Sequence, residues 1–363
     1  DLGQQYVDLF AYFRRTILTL DLHSILYSFS NGYGGEMIGI WAYYLLSPIN
    51  IILLIIPAKF INFAILLITL FKYGLSGLTF SIFLKYKGLK KDLIILSMAI
   101  AYALNGWMIA NQLNVMWLDG VIILPIIIMG IDRIFKINKY SLFIVSYTSM
   151  LIINYYIAYM ITIFSVIYVI GKLLIDDNTF KIRFKRLLSI SVSYFVSLLL
   201  SAFIFLPNLI ELKNGKGAYT LSTFKWKVEY NPLKMISKLF DGSFNFSQMP
   251  SGYPNIFVGA ITVIGFIIFF CNKRIRLKRK IIALIITAIL IVSMFFEPLD
   301  LVWHAMQFPI WYPYRFSFIF CFWIIYIAAI GLDKQTGHIK TKEIIVSGII
   351  LVAGLIYTSI NIN

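Results

Sequence analysis

A chain of 363 residues that is 60% hydrophobic and only 13% charged does not read as a soluble globular domain, and its mean hydropathy of +0.85 places it among multi-spanning membrane proteins. The net charge of +16 does not point to nucleic acid. The lysines and arginines cluster in short blocks between apolar runs, where cytoplasm and anionic lipid headgroups would face them.

The chain opens on DLGQQYVDLFAYFRR, without a methionine, and closes on TSININ. Both ends read as cut from a longer chain. The opening stretch is unusually polar, with Asp1, Gln4, Gln5, Tyr6, Asp8, Arg14 and Arg15. It continues through Asp21 and His23 to SFSNGYGGEM, where Asn31, Gly32, Gly34 and Gly35 permit tight turns and Glu36 follows as a helix cap or a ligand contact. The next run, MIGIWAYYLLSPINIILLIIP, is long enough to span, but Pro48 and Pro57 interrupt its helical hydrogen bonding. It is therefore expected to form broken, partly embedded helices.

The basic blocks KYKGLKK (85–91), DRIFKINK (132–139), KIRFKR (181–186), NKRIRLKRK (272–280) and DKQTGHIKTK (333–342) are assigned to the cytoplasmic side. Parity then puts residues 1–58 outside as a first extracytoplasmic loop with interfacial helices, together with a turn at Asn111 to Asp119. A long loop at 207–253 and the segment Glu297 to Arg315 fall on the same outer side. Between Tyr140 and Gly171 the sequence leaves room for a tight pair of short helices turning at NYY (154–156). The fold class is all-α and polytopic, a single transmembrane domain over 1–363 with about ten crossings of uneven length.

Polar residues near a bilayer are costly and mark cavities or partners. In NGWMIANQLNVMWLDG, the residues Asn105, Asn111, Gln112, Asn114 and Asp119 suit sugar hydroxyls, phosphate or interhelical hydrogen bonds, and Trp107 and Trp117 suit an interfacial belt. NYYIAYM offers Asn154, Tyr155, Tyr156 and Tyr159 for stacking or anchoring. In FPIWYPYRF, Arg315 stands on the side that charge bias disfavours, so an anionic partner is expected, either a phosphate or an outer carboxylate. The lysines of the long loop, Lys213, Lys216, Lys225, Lys227, Lys234 and Lys238, read as solvated, with contact to a polyanion as the alternative. Cys271 and Cys321 lie in apolar runs and read as buried thiols, with no disulfide or metal site indicated.

DLGQQYVDLFAYFRR, SFSNGYGGEMIGIWAYYLLSPIN, NQLNVMWLDG, NYYIAYM and WYPYRFSF, in this order, resemble the YfhO family of bacterial membrane proteins along essentially the whole chain. The resemblance implies a GT-C type glycosyltransferase with a GT-C-like helical bundle in the bacterial cytoplasmic membrane, its active site facing outside. Such an enzyme would take a sugar, notably N-acetylglucosamine, from a polyprenyl phosphate carrier. It would add it to an anionic cell-envelope polymer such as lipoteichoic acid, alongside a carrier-charging glycosyltransferase and a flippase-like small membrane protein. By position, Asp1 falls where the family carries its first-loop acid.

Sugar transfer from a lipid phosphate needs a base, charge compensation for the leaving phosphate, and room for the lipid tail. Asp1 is the expected base. Glu36 and Asp119 are alternatives, or would position the acceptor or a divalent cation. Arg315 would compensate the phosphate, with Arg14 or Arg15 sharing that task. Two competing classes are a lipid or sugar transporter or flippase, and a non-catalytic scaffold of an envelope complex.

Overall fold

The computed structural model describes residues 2–32, 34–214, 225–240, 242–335 and 341–361. After a π-helical turn at Leu2–Tyr6, helix α1 (Val7–Leu18) buries Phe10, Phe13 and Thr16 at helical spacing. A two-residue antiparallel hairpin then pairs Tyr27 with Glu36 and Ser28 with Gly35. The MIGIWAYYLLSPINIILLIIP run is broken as the sequence suggests, into Ile38–Leu45 and Pro48–Ile55 bent by 92°. The proline ring forces the residue before it out of the helical region, and Ser47 is extended (φ −64°, ψ 126°).

The long helices follow as α2 (Ile61–Tyr86), α3 (Asp92–Ala103), α4 (Leu118–Ile137), α5 (Ser141–Ile153), α6 (Tyr155–Ile175), α7 (Phe180–Asn214), α8 (Ala260–Cys271), α9 (Leu277–Ser293), α10 (Glu297–Trp303), α11 (Ser317–Lys334) and α12 (Thr341–Asn361). Among the described residues, six helical stretches are long and apolar enough to cross a membrane, those built on α2, α3, α4, α6, α7 and α11, or seven if the bent pair is one span. Helices α5 and α8 are also apolar, but their 13 and 12 residues span only about 20 and 18 Å. A hydrocarbon core is about 30 Å thick, so the expected tally of about ten crossings counted segments that cannot all be full spans.

Two expected boundaries differ from the structure. Helix α6 is a full 21 residues, not half of a short pair; the break falls at Asn154, whose Oδ1 accepts from Ile157 N (2.9 Å) and starts the new helix. Helix α7 continues through Pro207 to Asn214, where a loop was expected. The Asn208 side chain donates to the Ile204 carbonyl (2.7 Å), holding the turn that the proline weakens.

The chain divides into two compact units. The first comprises Asp1–Ser76, Asn111–Ile161 and Phe184–Ala218. Here α4 is central, with 83% of its span buried, and α5 packs on it closely enough that a Cβ on Gly130 would stand 2.7 Å from Phe143 Cα. Ser197 of α7 bonds to its own turn at Ser193 (2.9 Å) and reaches the Ile144 carbonyl of α5 (3.4 Å). The second unit comprises Gly77–Ala110, Thr162–Arg183 and Tyr219–Asn363. Its centre is α11, 78% buried, which meets α8 backbone to backbone where Gly331 faces Gly265. Phe80 stacks on Tyr102 (4.3 Å) with Phe322 edge-on to Phe80 (5.7 Å).

The basic blocks at 85–91 and 333–342 meet where Asp333 Oδ1 accepts from the backbone of Lys90 and Lys91 (2.8 and 2.9 Å), while Trp107 Nε1 donates to the Arg315 carbonyl (2.7 Å), joining two segments expected on the opposite side. Two further expectations are corrected. Cys321 is buried, but Cys271, the last residue of α8, is exposed, because an apolar run does not say which face of a helix is covered. Lys238 is buried rather than solvated, its ammonium donating to the Ser243 carbonyl and to Gln248 Oε1 (both 2.5 Å), and burial pulls it down to about 8.

Candidate functional site

Four of the polar motifs meet inside the first unit. Tyr43 is the hub: its hydroxyl accepts from Trp117 Nε1 (3.0 Å), its carbonyl accepts from Asn154 Nδ2 (3.0 Å), and its ring packs against Tyr44 (4.8 Å), Tyr155 (6.1 Å) and Tyr156 (6.2 Å). The opening stretch joins through Gln5, which donates to the Tyr44 hydroxyl (2.9 Å). Tyr6 stacks edge-on to Tyr44 (5.8 Å) and directs its hydroxyl at the Met116 sulfur. Thus Gln5, Tyr6, Tyr155, Tyr156 and the turn preceding α4 form one aromatic and amide-lined patch.

Beneath it lies a buried ion pair that the sequence reading did not single out. Lys72, in the middle of α2, places its ammonium 2.5 Å from Asp119 Oδ2 and 2.9 Å from the Val115 carbonyl. Ser47, the extended residue at the bend, donates to Asp119 Oδ1 (2.9 Å). Both charged side chains are almost fully buried, at 1% and 4% exposure. A lone lysine in the run INFAILLITLFKYGLSG was the available signal, since an ionisable group inside a span implies a partner. Asp119 is therefore neutralised and doubly engaged. Asn111 and Asn114 are buried beside it in the same turn, 3.5 Å apart through their side chains, and Gln112 is half-buried.

The remaining candidates of this unit are more dispersed. Glu36 Oε2 accepts from Gly39 N (3.2 Å), a helix-capping role. Arg14 Nε donates to the Ile56 carbonyl (3.2 Å). Arg15 is exposed over the Tyr12 ring (5.7 Å). Asp1 lies outside the described residues.

Arg315 belongs to the second unit. Its guanidinium donates to the carbonyls of Trp311 (2.8 Å) and Tyr312 (3.3 Å), and its backbone N–H to His304 Nε2 (3.4 Å). This turn borders a pocket of about 440 Å³ lined by Lys227, Glu229, Tyr253, Glu297, Asp300 and Tyr314, among others. An isolated β-bridge, Val228 to Phe296, sets two of the acids side by side, with Glu229 N bonded to the Phe295 carbonyl (2.8 Å) and Glu297 N to the Lys227 carbonyl (3.2 Å). Lys227 pairs with Glu297 (3.0 Å), and the Tyr314 hydroxyl donates to Glu229 Oε2 (2.5 Å).

Burial, then the charge of Asp300, pushes the Glu229 carboxyl up to about 7, against the Tyr314 hydrogen bond that favours its ionised form. Tyr230 and Tyr314 are likewise pushed upward by burial and remain hydroxyl donors. Nothing local in the sequence says that Glu229 faces Glu297. Among the described residues, no three His, Cys, Asp or Glu side chains are grouped to hold a metal ion.

The family whose sequence profile matches this chain is described as bacterial membrane protein YfhO, and the match runs over residues 1–363. No curated protein and no solved structure matches it.

Proposed function

Because the chain belongs to the YfhO family of bacterial membrane proteins, we propose that it is a membrane glycosyltransferase. It moves a sugar, N-acetylglucosamine as the first expectation, from a polyprenyl phosphate carrier to an extracytoplasmic envelope polymer such as lipoteichoic acid. The observation that carries this reading is the convergence of four motifs, distant in sequence, on Tyr43 and Tyr44. Amides, hydroxyls and ring faces gathered at helix ends are the chemistry that grips a sugar.

In this reading Asp1 takes the proton of the acceptor hydroxyl as the sugar leaves its phosphate. Arg315 compensates the charge that develops on the leaving phosphate, with Arg14 and Arg15 as further cations. Gln5, Tyr6, Tyr155, Tyr156 and the Asn111–Gln112–Asn114 turn hold sugar hydroxyls and ring faces. Asp119 serves the turn indirectly, since Lys72 already neutralises it. The test uses purified protein, a polyprenyl phosphate sugar and a glycerol phosphate polymer. Transfer of label to the polymer is expected, falling sharply in Asp1→Asn; no transfer refutes the reading, and undiminished transfer in Asp1→Asn removes Asp1 from its role.

A second reading has a specific observation in its favour. A helix pair bent by 92° beside an ion pair within a span also suits a transporter or flippase of lipid-linked sugar. In proteoliposomes, movement of the lipid carrier between leaflets without sugar transfer would favour it.

A further inference from the structure

We propose that the pocket between the Val228–Phe296 bridge and the 308–314 turn binds a neutral polyol, a saccharide ring, with Asp300 and Glu229 accepting its hydroxyls. Asp300 is the starting point. Its side chain is 4% exposed, it lines the pocket, and its Oδ1 has no hydrogen-bond partner. The nearest donor is His304 Nδ1 at 3.3 Å, but His304 Nε2 accepts from Arg315 N, which places the imidazole proton on Nδ1. That proton is directed at the Asp300 carbonyl, 2.9 Å away. A buried carboxylate oxygen left without a donor is costly, and such groups are retained where a ligand completes them.

The other walls narrow the chemistry of that ligand. Lys227 already pairs with Glu297, so the pocket keeps two further acids, which repel a phosphate or any other anion. The carboxylates are not grouped to hold a metal ion among the described residues. What remains is a ligand with several neutral donors. Asp300 and Glu229 would take two hydroxyls, while Tyr253, whose ring packs against Tyr230 (4.8 Å), and Phe308 and Tyr314 offer ring faces to the C–H side of a sugar. A volume of about 440 Å³ lies within the range of small-molecule sites and holds one or two sugar rings. The inference rests on the transferase reading in one respect alone, that the saccharide bound is a substrate.

The experiment is ligand-observed NMR and calorimetry on the purified full chain in detergent, with N-acetylglucosamine, ethanolamine and Mg²⁺ as separate probes. Binding of N-acetylglucosamine in the millimolar range is expected, weakened about tenfold in Asp300→Leu and in Tyr253→Ala. Asp300→Leu removes a buried carboxylate oxygen that lacks a hydrogen-bond donor, so its melting temperature should equal or exceed that of the wild type; if it fails to fold, Glu229→Gln and Tyr253→Ala carry the comparison. Absence of saccharide binding, unchanged affinity in the variants that fold, or ethanolamine or Mg²⁺ binding in place of the sugar would overturn the proposal. Loss of sugar transfer with saccharide binding intact sinks the transferase reading and leaves the pocket standing; transfer without measurable binding here does the reverse.

Discussion

Replacing Lys72 by Met tests whether the buried ion pair holds the first unit together. At 2.5 Å and an effective dielectric of about 20, the attraction is about 7 kcal/mol. Desolvating the two charges costs several kcal/mol for each ion, so the intact pair contributes little net stability. The single variants are another matter. Lys72→Met leaves Asp119 buried with the Ser47 hydroxyl as its remaining donor, and Asp119→Leu leaves the Lys72 ammonium with the Val115 carbonyl. Each single change should destabilise by about 3–5 kcal/mol, while the double variant Lys72→Met/Asp119→Leu should lie within about 1 kcal/mol of wild type. Unfolding of the detergent-solubilised chain, followed by circular dichroism, measures all three. Additive single effects, or a Lys72→Met cost below about 1 kcal/mol, would refute the pairing argument.

Three other changes probe the rest of the chain. Gly130→Ala puts a methyl 2.7 Å from Phe143 Cα and should cost about 1–3 kcal/mol. Gly74→Ala in α2, with nothing within 4 Å, should stabilise by about 0.5–1 kcal/mol in the same thermal assay. For Glu229, burial holds the folded carboxyl at about 7 against an ordinary 4.5. The folded state therefore keeps a proton that the unfolded state loses, and stability falls as pH rises from 4.5 to about 7, then levels. Glu229→Gln should flatten that part of a melting-temperature profile; parallel profiles for variant and wild type would show the burial argument to be wrong.

What was legible in the sequence was what local chemistry decides. Composition gave the membrane class, Pro48 gave the bend, and NYY (154–156) gave the turn, which Asn154 makes by capping the helix that follows it. Block charge grouped the basic segments at 85–91 and 333–342, and Asp333 bonds to the first of them inside the second unit. What escaped were pairings between residues far apart in the chain. Lys72 reads as a blemish in an apolar run until Asp119, 47 residues later, is placed against it. Glu229 and Glu297 share a pocket through a two-strand bridge too short to leave a periodic signal. Pro207 misled for the opposite reason: its local cost is real, but a neighbouring asparagine offsets it and the helix runs on.

The placement of Lys72 also has a consequence for biosynthesis. Helix α2 leaves the ribosome before α4, so its lysine arrives at the bilayer without its counter-ion. At roughly 5–20 residues per second, the 47 residues to Asp119 take about 2–9 s to make. For that interval α2 carries an unpaired charge worth about 2.5–3.5 kcal/mol against insertion, and its apolar neighbours must outweigh it. The arrival of Asp119 then ends the penalty, which makes the docking of α4 the step that commits α2 to its place in the membrane.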